Sequence, residues 1–501
     1  MIDDQSSSHN QQTSDYSQMT QITIQQKPGK DLILQPIKSV ILFNYILPGC
    51  SNIFRLAFIN VLYRYMQYRL WGNTVSIIVL QPFIDLCTTT YSLALLDGSR
   101  EILFGFIQNK QKNAAKAYFA CVLINYYIIG FIISIVMGKI CSNQVGLFTL
   151  NEQSKYYLQI SLYFSIIGRS SFVFYREIMI IEQRVYSAFC MDILYGLLSI
   201  LITCICIVLT DSKTIQKPNY YKLFAVIELL SNFFASLYPI YSIVTYFSSP
   251  KKWDIKSIIN QNPLKLRLCD IFPFRFQLIW QIFVRTLPYL LKHAIEPILC
   301  SGIMYLYHKY QHLQVWSEYS MIGCQMTRIF SQAASSISSQ SESQLRFLFN
   351  INIKTGNVIR IREVLMKGAR IVFCVQFLFM IMIGTIIKVM IQWYFVILDP
   401  FALKQAIFKK WALTWCVLVP YHFAQPLVEM EFGYFQIFQV AMHWSLFGSQ
   451  FLVYYFKKKR SDFNNMQVQL MIAKALIGLI MYIKYVMKYT KLLNQKKMDP
   501  A

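Results

Sequence analysis

From residue 432 to 456 the chain runs without an Asp, Glu, Lys or Arg, and residues 117–138 and 229–250 are equally free of charge. About 20 apolar residues are enough for a helix to cross a hydrocarbon layer ~30 Å thick. In that layer every backbone N–H and C=O must be satisfied internally, so a segment of this kind spans as a helix. About twelve such segments follow one another: near 38–62, 73–96, 115–138, 156–180, 186–210, 222–247, 284–308, 314–338, 366–392, 408–428, 432–456 and 467–489. Lys474 and Lys484 interrupt the last, which makes it the weakest. With 55% hydrophobic and 14% charged residues among 501, the chain is not a soluble protein. The expected fold class is all-α, a polytopic membrane protein of two six-helix lobes.

The formal charge is +24, but the Lys and Arg lie between apolar segments and near the C-terminus rather than in one basic arm. Such a pattern reports membrane topology and gives no sign of a nucleic-acid partner. Counted over alternate connections, the basic residues favour both termini on the cytoplasmic side. Residues 457–460, three Lys and an Arg, run against that bias. None of the twelve cysteines forms a CxxC pair or alternates with His at zinc-ligand spacing. They read as small hydrophobes, and no metal or cofactor is expected. The first residues show no basic region followed by an apolar core, so targeting is expected to fall to the first membrane helix.

Residues 1–36 are rich in Gln, Ser and Thr and are expected to form a disordered tail. The basic stretch 248–283 divides the rest into six segments before it, 37–247, and six after it, 284–489, with a short tail at 490–501. Each half opens on Leu-Pro, at Leu47-Pro48 and Leu287-Pro288. That repetition suggests an internal duplication, a common plan among transporters.

The second opening leads into the most informative segment, 287–307, LPYLLKHAIEPILCSGIMYLY. Glu296 lies near its middle, and a carboxylate at membrane depth costs roughly 2.5 to 3.5 kcal/mol on insertion scales. Lys292 and His293 stand four and three residues before it, so the three share one helix face. Pro288 and Pro297 bracket the group, and a broken, charged helix is one way transporters build a binding site. The plainer reading is a Lys292–Glu296 ion pair that lets the helix insert. Asp85, behind Pro82 in the second segment, either lines a cavity of the first half or pairs with a buried base such as Arg169 or Arg328. Asp192, Glu228 and Glu318 read as interfacial or packing residues, and His422 and His443 as hydrogen-bonded core histidines.

In this order of helices the chain resembles the multidrug and toxic compound extrusion (MATE) transporters over roughly residues 40–456. Members have a proline opening the seventh helix and a glutamate eight residues on, the spacing of Pro288 and Glu296. They close the second helix with Ala-Leu-Asp and a later glycine, which Leu96, Asp97 and Gly105 match. Ala333-Ala334-Ser335 repeats the family's Ala-Ala-Ser, and Arg176 stands where members carry an arginine. The chain departs from the pattern at Asn60 in place of a first-helix acid, at Ser339-Gln340 in place of Gly-Asn, in the tenth helix and at Lys292.

The resemblance implies an antiporter that exports small organic, cationic solutes in exchange for H⁺ or Na⁺ across a plasma, vacuolar or vesicular membrane. Glu296, Lys292, His293 and Asp85 are the expected substrate- and ion-binding residues, with no enzymatic activity. Three other functions fit the same architecture less directly. They are a flippase for lipid-linked sugars, which needs a wide basic cavity, an acyltransferase, which needs a buried His beside an Asn or Asp, and a non-transporting scaffold.

Overall fold

The computed structural model describes residues 46–47, 49–50, 75–108, 111–143, 154–181, 185–209, 218–243, 266, 274–309, 337–338, 342–394, 411–432, 441, 445 and 463–498. Among these residues the regular structure is entirely helical: α1 (Val75–Gln108), α2 (Lys112–Asn143), α3 (Ser154–Tyr163), α4 (Arg169–Ile181), α5 (Val185–Leu209), α6 (Pro218–Ile243), α7 (Phe276–Lys309), α8 (Glu342–Lys354), α9 (Val358–Glu363), a π turn (Val364–Gly368), α10 (Ala369–Tyr394), α11 (Trp411–Phe432) and α12 (Phe463–Met498). The chain is an all-α polytopic membrane protein. Three stretches of these helices, Asn113–Ile140, Ser187–Ile205 and Val358–Met382, are long and apolar enough to cross a membrane by length and composition.

The distribution of side chains inverts that of a soluble protein. On α2, Ile128, Phe131, Ile132, Ile135, Val136 and Ile140 are exposed at three- and four-residue spacing, a continuous apolar stripe. Leu194, Leu197, Leu201 and Ile205 make the same stripe on α5. Buried between helices instead are Thr88, Ser92, Arg100, Asn125, Arg176, Glu177, Asp192 and Glu228. Where the surrounding solvent is lipid, apolar surface gains nothing by leaving it, and polar groups must find one another inside.

The helices depart from the sequence-based segments in instructive ways. The fourth segment is two helices, because residues 164–168 turn between α3 and α4. Gly168 closes it, where a Cβ would lie 3.3 Å from the Phe164 carbonyl oxygen at the start of the turn. The seventh segment begins earlier than expected, at Phe276. Pro288 and Pro297 lie inside α7 and do not break it. The expected broken helix is therefore corrected to a continuous one in which the two prolines deprive the carbonyls of Val284 and His293 of their intrahelical donors. Most of the segments near 38–62, 314–338 and 432–456, most of the 248–283 connection and the whole tail 1–36 lie outside the described residues, as does His443.

Helix α8 was not among the expected segments. It ends in a tight reversal where Gly356 adopts φ 65° and Asn357 N–H reaches back to Asn352 O at 2.8 Å, the six-to-one bond of a Schellman ending. Asn357 then caps α9 by accepting from Arg360 N–H at 3.1 Å. The weak last segment forms a helix of 36 residues that packs along α11 and reaches α9. Its Gly478 permits the contact, for a Cβ there would stand 2.3 Å from Tyr421 Cβ.

Candidate functional site

Helices α1 and α7 form the most extensive packing contact, and they run antiparallel, residue 97 beside 293 and 101 beside 285. Gly98 lets the backbones approach, since a Cβ there would lie 3.3 Å from Arg285 O. At this seam His293 Nε2 meets Asp97 Oδ2 at 2.8 Å, both side chains largely buried. Lys292 and Arg100 stand within electrostatic range of the same carboxylate. One turn on, Asn350 of α8 donates to Glu101 Oε1 at 2.8 Å. Arg285 approaches Glu101 only to 3.9 Å and is half exposed, a pairing worth little. Asn125 of α2 donates to Ile279 O at 2.9 Å. These contacts clamp α1 to α7 and α8, and α2 to α7.

Asp85 lies twelve residues before Asp97, about 18 Å up the same helix, and belongs to a different group. Arg169 Nη2 contacts Asp85 Oδ1 at 2.6 Å while its Nη1 holds Glu228 Oε1 at 3.0 Å. Tyr157 donates to Glu228 Oε2 at 2.5 Å. The turn at 164–168 places Arg169 as the first residue of α4, between α1 and α6, and Tyr157 comes from α3. Of the two readings of Asp85, pairing with Arg169 is the one realised.

A third group is buried more deeply. Arg176 is 2% exposed and its Nε contacts both Asp192 oxygens at 3.0 Å. Its Nη1 donates to Glu177 Oε1 at 2.7 Å, and Glu177 Oε2 accepts from Arg100 Nη2 at 2.6 Å. The set is neutral overall, two guanidiniums against two carboxylates, which is the condition for keeping charge out of water. In the second half Arg346 of α8 pairs with Glu429 of α11 and bonds Tyr289 of α7. Thus Arg100–Glu177 joins α1 to α4, and Arg346–Glu429 joins α8 to α11.

Glu296 lies on α7 one turn beyond Lys292, and its side chain is outside the described residues. Lys292 and His293 are gathered at Asp97, and Asp85 at Arg169. Asp192 and Glu228 are buried partners of arginines rather than interfacial residues, and His422 is buried with its ring edge-on to Tyr421. Sequence reasoning did not pick out Asp97, Arg100, Glu177 or Arg346 as interacting groups. The legible signal was the adjacent Arg176-Glu177 within an otherwise apolar stretch, a charge pair that demands partners at membrane depth. No group of three or more His, Cys, Asp and Glu fit to hold a metal occurs among the described residues.

The fold is that of MATE transporters. It matches a multidrug resistance MATE family transporter of the MOP superfamily, solved outward-facing, with TM-score 0.60 and 14% identity over 92% of this chain and 99% of that one. A MATE protein in complex with MaD3S matches with TM-score 0.59 and 13% identity over 92% and 99%. A MOP superfamily transporter from Pyrococcus furiosus, described as having a binding pocket of reverse polarity that suggests a different function, matches with TM-score 0.60 and 13% identity over 93% and 98%. No protein-family model and no curated protein sequence matches the chain.

Proposed function

We propose that this chain, which shares its fold with MATE transporters, is a secondary transporter that exports small organic cations in exchange for H⁺ or Na⁺ by alternating access between two six-helix lobes. The observation that carries the reading is the fold, shared over more than nine-tenths of this chain and of each solved transporter. Two features of the geometry support it. The two buried Arg–Glu links, α1 to α4 and α8 to α11, fit two lobes each tied internally. The α1–α7 seam fits a gate between them, because its polar contacts, Asp97 with His293 and Glu101 with Asn350, are discrete and a rocking motion can break them together.

The sidedness is consistent with the basic-residue count. Asn350 at the end of α8 meets Glu101 near the end of α1, and Arg362 of α9 donates to Thr490 near the end of α12. The ends of α1, α8 and α12 thus share one side with the start of α7, as both termini in the cytoplasm require. A closed cytoplasmic seam corresponds to an outward-facing state, the state in which the multidrug transporter was solved.

Glu296 is the residue at which solute and coupling ion compete in this reading. Proteoliposomes carrying a pH or Na⁺ gradient test this with a fluorescent organic cation. The wild type should accumulate the cation, and Glu296→Gln should lower the rate at least tenfold, a loss of about 1.4 kcal/mol. Equal rates for the two would remove Glu296 from the mechanism. The second reading is a flippase for an anionic, lipid-linked substrate. It is favoured by Lys292 on α7 and by the reversed pocket polarity described for the Pyrococcus protein. The His293–Asp97 pair supplies the residues that an acyltransferase would need, but it lies in the packed seam of a transporter fold.

A further inference from the structure

Helix α12 changes character along a single face. Ile472, Leu476, Ile480, Ile483 and Met487 are exposed at three- and four-residue spacing, a stripe about 22 Å long. The same face then continues as Thr490, Lys491 and Asn494. At this switch a groove of about 510 Å³ opens, lined by Val486, Met487, Thr490, Lys491, Asn494 and Gln495. Arg362 of α9 donates from Nε to Thr490 Oγ1 at 3.2 Å, which brings a second cation to the lip. The neighbouring carboxylates are matched elsewhere, Glu363 to Lys367 at 2.9 Å and Glu431 to Lys488 at 3.1 Å. Lys354 closes α8 on the same side, and Lys496 and Lys497 follow on α12.

An apolar stripe running into a cationic, hydroxyl-bearing groove has the profile of an amphiphile. We propose that this groove is a binding site for an anionic phospholipid, whose acyl chain lies along Ile480, Ile483 and Met487 and whose phosphate is held at Thr490, Lys491 and Arg362. The step from Met487 to Thr490 sets the depth, for it is where the helix leaves the hydrocarbon. The stripe spans more than half of the ~30 Å hydrocarbon thickness, enough to hold a full acyl chain of one leaflet. A zwitterionic lipid would bring its own cation toward Lys491 and Arg362, so charge selects the anionic headgroup. The site stands apart from the α1–α7 seam and does not depend on what the protein transports.

Native mass spectrometry of the full-length purified protein, supplied with phosphatidylglycerol or phosphatidylcholine, tests the proposal. Phosphatidylglycerol should be retained about fivefold more tightly than phosphatidylcholine at one site. Lys491→Gln should remove that one bound phosphatidylglycerol, whereas Lys491→Arg should keep it. Excess glycerol 3-phosphate should not displace the lipid, because the apolar stripe supplies part of the affinity. Equal retention of the two lipids, an unchanged count in Lys491→Gln, or displacement by glycerol 3-phosphate would each overturn the proposal, the last by revealing a site for free phosphate.

Discussion

Arg176 is the largest of the fully buried side chains among the described residues, and its neighbours explain why it is tolerated. It stands between Asp192 and Glu177, and Glu177 in turn holds Arg100, so each charge is met by an opposite one at 3.0 Å or less. Such a set contributes little net stability as a whole, but removing one member exposes the rest to the full cost of unpaired burial. Arg176→Met should therefore lower stability by about 3–5 kcal/mol. Combining it with Asp192→Asn should recover part of that loss, because the carboxylate left behind becomes neutral. Thermal unfolding of the detergent-solubilised variants measures both. At this scale the sequence showed where charge enters the apolar helices, as at Lys292 and Asp85, which lie in charged groups. It was silent on partners, because Asp97 and His293 lie 196 residues apart and no local rule joins them.

Helices explain what single residues do not. The π turn at Val364–Gly368 widens the ladder between α9 and α10, and Tyr482 of α12 donates its hydroxyl to Leu365 O at 2.5 Å within it. That bond, Arg362 to Thr490, and the close approach at Gly478 hold α12 against α9 and α11 along its length. Gly478→Val places methyl groups where Tyr421 backbone already stands. It should cost about 1–3 kcal/mol through overpacking, whereas Ala at the exposed Ile480 should leave the unfolding temperature nearly unchanged. The apolar segments were readable because twenty residues without charge leave few alternatives to a helix. The proline positions and the break at 164–168 were not, because a proline inside a packed helix is tolerated when neighbours and local adjustments satisfy the freed backbone groups. Lys474 and Lys484 weakened the last segment in the sequence, yet their ammonium groups lie about 6.0 Å from the Tyr421 and Tyr485 rings. Cation–π contact of this kind lowers the cost of a lysine beside hydrocarbon.

At the scale of the whole molecule, two buried Arg–Glu pairs tie helix to helix, Arg100–Glu177 joining α1 to α4 and Arg346–Glu429 joining α8 to α11. Between α1 on one side and α7 and α8 on the other lies the seam of Asp97 with His293 and of Glu101 with Asn350, and in the transport cycle proposed above its opening is the step on which alternating access depends. The most direct measurement bridges it. With endogenous cysteines replaced, Asp97→Cys and His293→Cys are joined by a short, reducible thiol cross-linker in proteoliposomes, and uptake of the organic cation is followed before and after reduction. Uptake that is lost on cross-linking and returns on reduction is the predicted result. Uptake that continues at an unchanged rate while the two helices are tied would contradict the account.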